Sequence, residues 1–165
     1  MIVRRAVPSD AAALAELGAR TFVDAFGAQN RPEDVEAYLA KSFGVSQQRR
    51  EIEEGITLLV EDEGALVAFA QLRRSDSPFG DVELARFYVE RAHHGRGVAQ
   101  ELMDAAISAA SHLGGRKMWL SVWERNPRGI RFYEKCGFLD EGTQPFVVGS
   151  DVQTDRVMTF VMPSR

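Results

Sequence analysis

The sequence is short of the features that mark several protein classes. Its 165 residues hold one cysteine, Cys136, so no internal disulfide can form, and a lone thiol suits a reducing compartment. No apolar run approaches the roughly 18 residues that a membrane helix needs, so no membrane partner is expected. Met1-Ile2-Val3-Arg4-Arg5 runs into Pro8, Ser9 and Asp10 rather than into an apolar signal region, which makes the cytoplasm the expected location. Positive charge is not in excess: 20 Lys and Arg stand against 24 Asp and Glu, a formal charge of -4. Nucleic acid binding needs clustered positive charge to displace counterions, so no nucleic acid partner is expected either. Mild acidity fits a cationic substrate better. Repeats, low-complexity tracts and linker-like stretches are also missing, and residues 1–165 read as a single domain.

What is present is ordinary globular composition, 45% hydrophobic and 27% charged, enough to build a core without metal or disulfide. Ile2 to Ala6 reads as a strand, and Ser9 or Asp10 as the cap of an alanine-rich helix with Leu14 and Leu17 inward. Pro32, Glu33 and Asp34 suit the first turn of a second helix whose buried stripe is Val35, Tyr38 and Leu39. A third helical piece covers Ser46 to Glu54. The apolar runs Ile56 to Val60 and Ala65 to Leu72, joined by Glu61-Asp62-Glu63-Gly64, read as a hairpin. A strand from Val82 to Val89 leads through His93-His94-Gly95-Arg96-Gly97 into a helix with Val98, Leu102, Ala106 and Leu113 at helical spacing. Met118 to Trp123 is a strand, Asn126-Pro127 caps a short helix that Gly137 ends, and Phe138 to Val148 and Val157 to Met162 close the chain as strands. The order is mixed α/β, with helices covering a largely central sheet.

The segment from Phe87 to Gln100 carries the chemistry. A glycine-rich turn between a strand and a helix exposes successive backbone N–H groups at the positive end of a helix dipole, which suits phosphate or pyrophosphate. Glycine at 95 and 97 permits close approach, and Ala99 keeps the first helical turn thin. A structural loop without a ligand explains the same letters equally well. Rival motifs fail on the residues. A dinucleotide fingerprint starting at Gly95 wants glycine or alanine where Gln100 sits. No Gly-Lys-Ser/Thr phosphate loop and no Gly-x-Ser-x-Gly elbow occurs. His93, His94 and His112 lack the spacing of a zinc helix, so no metal is expected.

With these residues in hand, the chain resembles the GNAT family of acetyl-CoA-dependent N-acetyltransferases. His94-Gly95-Arg96-Gly97-Val98-Ala99 is similar to their Gln/Arg-x-x-Gly-x-Gly/Ala loop in its last three marked places, with His94 departing from the usual Gln or Arg. Asn126 followed by Phe132-Tyr133-Glu134-Lys135-Cys136-Gly137-Phe138 resembles a second landmark downstream. Within the family, Thr21-Phe22, Phe26, Asn30, Tyr38-Leu39, Val122-Trp123-Glu124 and the run from Phe146 to Asp155 look most like the PaiA-type spermidine/spermine acetyltransferases. The resemblance implies a centrally splayed, mostly antiparallel sheet of about seven strands flanked by helices. It also implies acetyl-CoA as cosubstrate and a small primary amine, such as a polyamine, as acceptor. Acetylation of another amine or of a protein N-terminus, and a non-catalytic acyl-CoA-binding regulator, are the other readings. A homodimer is compatible with the sequence.

The resemblance assigns roles residue by residue. The coenzyme's phosphates would meet His94, Gly95, Arg96, Gly97, Val98, Ala99 and Gln100, chiefly through the main chain. Phe87, Tyr88 and Val89 would offer strand-edge amides to the pantetheine arm, and Asn126 would bond it while capping its helix. Tyr133 becomes the proton donor to the departing sulfur; packed in the core it would be an aromatic filler. For the general base, Glu83 would share a strand face with Ala85 and Phe87 if side chains alternate; otherwise it is an exposed strand-end acid. Trp119 and Trp123 read as packing, and Cys136 as a buried helix-end residue. Asp24, Glu33, Asp34, Glu83 and Asp155 are the acids that a cleft for a polycation would gather.

Overall fold

The computed structural model describes residues 1–163. Seven strands, β1 (Ile2–Arg5), β2 (Ile56–Asp62), β3 (Ala65–Arg74), β4 (Val82–Val89), β5 (Lys117–Trp123), β6 (Leu139–Val148) and β7 (Asp151–Val161), form one sheet in the order β1-β2-β3-β4-β5-β7-β6. Five helices cover it: α1 (Ala11–Phe26), α2 (Pro32–Ser42), α3 (Val45–Glu54), α4 (Val98–His112) and α5 (Pro127–Lys135). Among the described residues no helix is long and apolar enough to cross a membrane.

Alternation along the strands builds two cores, one on each face of the sheet. Leu58, Val60, Ala68 and Ala70 pack with Leu102, Met103 and Ala106 of α4. Leu59 and Phe69 point the other way, onto Leu14, Leu17 and Phe22 of α1, Val35 of α2 and Ile52 of α3. Truncating a side chain as buried as Leu102 to alanine costs about 2–5 kcal/mol, so α4 is fixed firmly behind the sheet. Asp10 precedes α1 without bonding its first turn; its carboxylate reaches back to the Val7 amide at 2.8 Å and to Arg4 at 2.9 Å. The β2–β3 hairpin turns on Glu63 and Gly64, both left-handed at φ 51° and 81°, the pair that a tight two-residue turn requires.

Two features of β4 shape the site. The strand is parallel to β5, the sheet's other neighbours being antiparallel, and the two pair only at Val82–Met118 and Glu83–Trp119 before they diverge. From Leu84 and Leu120 onward a wedge-shaped gap opens between them. The register against β3 also jumps: Leu72 faces Leu84 while Gln71 faces Arg86, leaving Ala85 as a bulge. The bulge breaks the alternation that would put Glu83, Ala85 and Phe87 on one face. Phe87 packs on the α4 side, whereas Glu83 turns to Arg73 on the α3 side.

Strand β7 starts six residues before the expected Val157. Val152 to Arg156 are too polar to announce a strand, but β6 pairs the whole stretch, from Val147–Val152 to Thr143–Arg156, and β5 pairs its end through Val122–Arg156 and Trp123–Asp155. The β6–β7 turn is tied to α2: the Asp34 carboxylate accepts the Ser150 amide at 2.9 Å and also pairs with Arg31.

Candidate active site

The gap between β4 and β5 opens into a cavity of about 720 Å³. On the α4–α5 side it is lined by Gly95, Gly97, Ala99, Gln100, Asn126 and Tyr133. On the opposite side Phe26 of α1, Tyr38 of α2, Phe146 of β6, and Gln153 and Asp155 of β7 line it. Leu84 to Val89 and Leu120 to Trp123 form the walls between. One continuous passage therefore joins the glycine loop to the α1–α2 side.

Behind the loop, β4 ends at Val89 and the chain turns through Arg91–His93 before α4 begins. Gly95 and Gly97 both sit at φ 79°, a left-handed conformation in which other residues are strained. A Cβ at either would meet nothing within 4 Å, so backbone conformation rather than crowding demands glycine. The first intrahelical bond runs from the Glu101 amide to the Gly97 carbonyl at 3.1 Å, which leaves the amides of Val98, Ala99 and Gln100 without helical partners. Three N–H groups at a positive helix end form an anion cradle. His94 does not extend the cradle with its ring; Nε2 lies 2.8 Å from the Val89 carbonyl and ties the loop back to β4. Arg96 is exposed and does not line the cavity, and the Val98 side chain is buried in the core, so Val98 can offer only its main chain there. The Gln100 side chain turns away, its Nε2 donating to Asp104 Oδ1 at 2.9 Å, while its backbone N–H stays free.

Along β4, Phe87, Tyr88 and Val89 pair with Ala70, Phe69 and Ala68 on one edge, and no strand occupies the other. Leu120 to Trp123 likewise pair only with β7. Two open strand edges facing one another suit an extended, amide-bearing molecule laid between them as an added strand.

Asn126 caps α5, its Oδ1 accepting the Gly129 amide at 3.0 Å, and also lines the cavity. About two helical turns on, Tyr133 packs its ring edge-on to Phe87 at 6.1 Å and against Phe132 and Phe138 at 5.6 and 5.9 Å. Burial pushes its phenol well above the usual tyrosine range, so it remains protonated and can donate. Core packing and cavity lining coincide in this residue.

Of the five acids, only Asp24 and Asp155 line the cavity. Arg31 takes Glu33 and Asp34. Glu83 is outside the cavity, its Oε1 2.7 Å from Arg73 Nε, so this carboxylate does not join the acids that line it. From the sequence Asp155 is one acid among five; it is 3% exposed and, unlike the equally buried Asp34, which Ser150 and Arg31 satisfy, it has an Oδ1 lacking any hydrogen-bond partner. Burial pushes its carboxyl up to about 6, with Glu124 adding repulsion and a hydrogen bond from Ser121 acting the other way. Trp119 is packing, bonded through Nε1 to Ser75 Oγ at 2.9 Å. Trp123 also lines the cavity, its ring 5.6 Å from Phe26. Positive side chains on the α5 side of the passage, Arg125, Arg128 and Lys135, oppose the two acids in sign. Cys136, 3.9 Å from Gln100 Oε1, has its thiol pushed up by burial and is not poised as a nucleophile. Among the described residues no cluster of His, Cys, Asp or Glu could hold a metal ion.

Comparison with known proteins agrees with this geometry. An uncharacterised N-acetyltransferase of Mycobacterium tuberculosis (strain ATCC 25618 / H37Rv) is 33% identical over 157 residues, covering 91% of this chain and 96% of its own. The spermine/spermidine N(1)-acetyltransferase of Bacillus subtilis (strain 168) is 31% identical over 90 residues, 51% of this chain and 59% of its own. In fold, the PaiA N-acetyltransferase of Thermoplasma acidophilum, solved with coenzyme A, superimposes with a TM-score of 0.82 at 20% identity, covering 97% of this chain and 98% of that one. Residues 20–138 match the profile of the acetyltransferase (GNAT) family, and this enzyme, an acyltransferase, belongs to that family.

Proposed function

We propose that the enzyme transfers the acetyl group of acetyl-CoA to the primary amine of a small molecule. The observation that carries this reading is the continuous passage between β4 and β5, with an anion cradle and Tyr133 at one side and Asp155 at the other. Acetyl-CoA fits the first half on three counts: free amides at Val98, Ala99 and Gln100 for a pyrophosphate, open strand edges for pantetheine amides, and Arg125, Arg128 and Lys135 for phosphate charge. When bound it supplies a reactive thioester. Phe87 to Val89 would orient it, and Tyr133 would protonate the sulfur as the carbon–sulfur bond breaks. Attack by the amine is direct; the inert Cys136 supports the absence of an acyl-enzyme.

Within amines, a polyamine is the finer reading, supported by the name of the Bacillus subtilis relative and by Asp24 and Asp155 in the lining. The lone thiol of Cys136 supports a reducing compartment such as the cytoplasm. The test is thiol release from acetyl-CoA across a panel of amines at several salt concentrations. Spermidine and spermine should outrun neutral amines, and salt should narrow the difference. Rates that ignore acceptor charge would remove the polyamine. Binding of acetyl-CoA without turnover would favour a regulator.

A further inference from the structure

We infer that Asp155 is the catalytic residue that holds the acceptor's ammonium group and takes its proton, an inference that rests on the acetyl-transfer reading above. The carboxylate is 3% exposed, lines the cavity, and has one oxygen without any hydrogen-bond partner. A buried charge of this kind is normally paired, because an unpaired carboxylate loses its hydration with nothing to replace it. No Arg or Lys among the described residues pairs with Asp155. Arg156, its neighbour, turns to the other face and takes Asp140. The missing counter-ion is what a primary ammonium supplies.

The surroundings define where that ion would sit. Asp155 lies beside Trp123 of β5 on one ladder and Gln144 of β6 on the other. Ser121 of β5 donates to it, and Glu124, just beyond β5, repels it. Across the gap, Tyr88 of β4 is near enough for the Asp155 charge to act on its phenol. Trp123 and Phe26 form an aromatic corner in the same cavity, which suits the alkyl part of an amine and the face of a cation. Glu83 has none of these attributes, being satisfied by Arg73.

Proton balance requires two transfers. The bound ammonium gives one proton to the Asp155 carboxylate, which frees the nitrogen lone pair. A carbon–nitrogen bond then forms as the carbon–sulfur bond breaks. The nitrogen's second proton and the sulfur's new one are exchanged through Tyr133 and solvent, so the phenol ends as it began. Asp155 returns its proton to water when the amide leaves. Burial favours this role, because a carboxyl pushed up to about 6 is a stronger base than an ordinary aspartate and is ionised at neutral pH.

The test is the pH profile of kcat/KM for the best amine, for the wild type, Asp155→Asn and Glu124→Gln. With Asp155 as base, the wild-type profile rises near pH 6 and then stays flat. In Asp155→Asn the rate at pH 7.5 should fall by about 10² or more, and the profile should climb steadily towards the amine's own pKa near 10. Acetyl-CoA affinity, read by calorimetry, should be unchanged and shows that this variant is folded. Exposed Glu124→Gln removes a repelling charge, so its rise should move to lower pH; if Asp155→Asn does not fold, this shift alone decides. A wild-type rate and profile in Asp155→Asn, or an unmoved rise in Glu124→Gln, overturns the inference while acetyl transfer stands. A wild type that acetylates no primary amine removes both.

Discussion

Arg73 Nε donates to Glu83 Oε1 at 2.7 Å, locking the acid at the closed end of the β4–β5 wedge, where Glu83 still pairs with Trp119. Glu83→Gln should therefore leave kcat within about twofold of wild type, far from the roughly 10² lost with a general base. The half-exposed ion pair is worth about 0.2–1 kcal/mol, so the stability change should be equally small. Steady-state rates and a thermal melt on this variant check both.

Tyr133→Phe keeps the ring that packs on Phe87, Phe132 and Phe138 and removes only the hydroxyl. A thiolate leaving group departs partly unaided, its thiol pKa being roughly 8.5. Loss of a positioned acid should lower kcat by about 10² to 10⁴ with melting temperature and acetyl-CoA affinity unchanged. Turnover at the wild-type rate would make Tyr133 a packing residue.

Ala99→Asp places a carboxylate in the first turn of α4, where it lines the cavity and would repel a pyrophosphate on the neighbouring amides. Acetyl-CoA affinity should fall by tenfold or more, about 1.4 kcal/mol, while the melt is unaffected. Calorimetry with unchanged affinity would sink the pyrophosphate cradle.

Asp155 should cost the folded enzyme stability. Its carboxyl is pushed up to about 6, above the usual value, so the native state holds the proton more tightly than the unfolded chain does. Stability from this group is present at low pH and is lost as pH rises through about 4 to 6, reaching about 3 kcal/mol. Asp155→Asn removes the penalty, so its melting temperature should exceed that of wild type by several degrees at pH 8 and by less at pH 5. Scanning calorimetry at the two pH values reads the difference, and a variant less stable than wild type at pH 8 would contradict the unpaired buried charge.

The elements that were legible carried local signals. Gly95 and Gly97 mark a left-handed turn before a helix, and Asn126-Pro127 marks a helix start, so the loop, α4 and α5 fall where the letters put them. Three things were not legible, each for a tertiary reason. Ala85 looks like an ordinary strand residue; its bulge exists only against the register of β3, and it sends Glu83 and Phe87 to opposite faces. Val152 to Arg156 lack a strand pattern, because pairing with β6, and with β5 from Asp155 on, rather than apolar alternation makes them a strand. In the sequence Asp155 is one of five acids that a polycation cleft would gather, with nothing to set it apart from the other four. Its burial comes from Trp123 and Gln144 on the flanking strands, which no local signal reveals.

The most direct measurement follows coenzyme A thiol release and amine acetylation together, using purified enzyme, acetyl-CoA and a panel of primary amines. The account expects one thiol and one N-acetylated amine per turnover, strictly dependent on the amine. Acetyl-CoA that binds without thiol release, or thiol release with no acetylated amine, would contradict it.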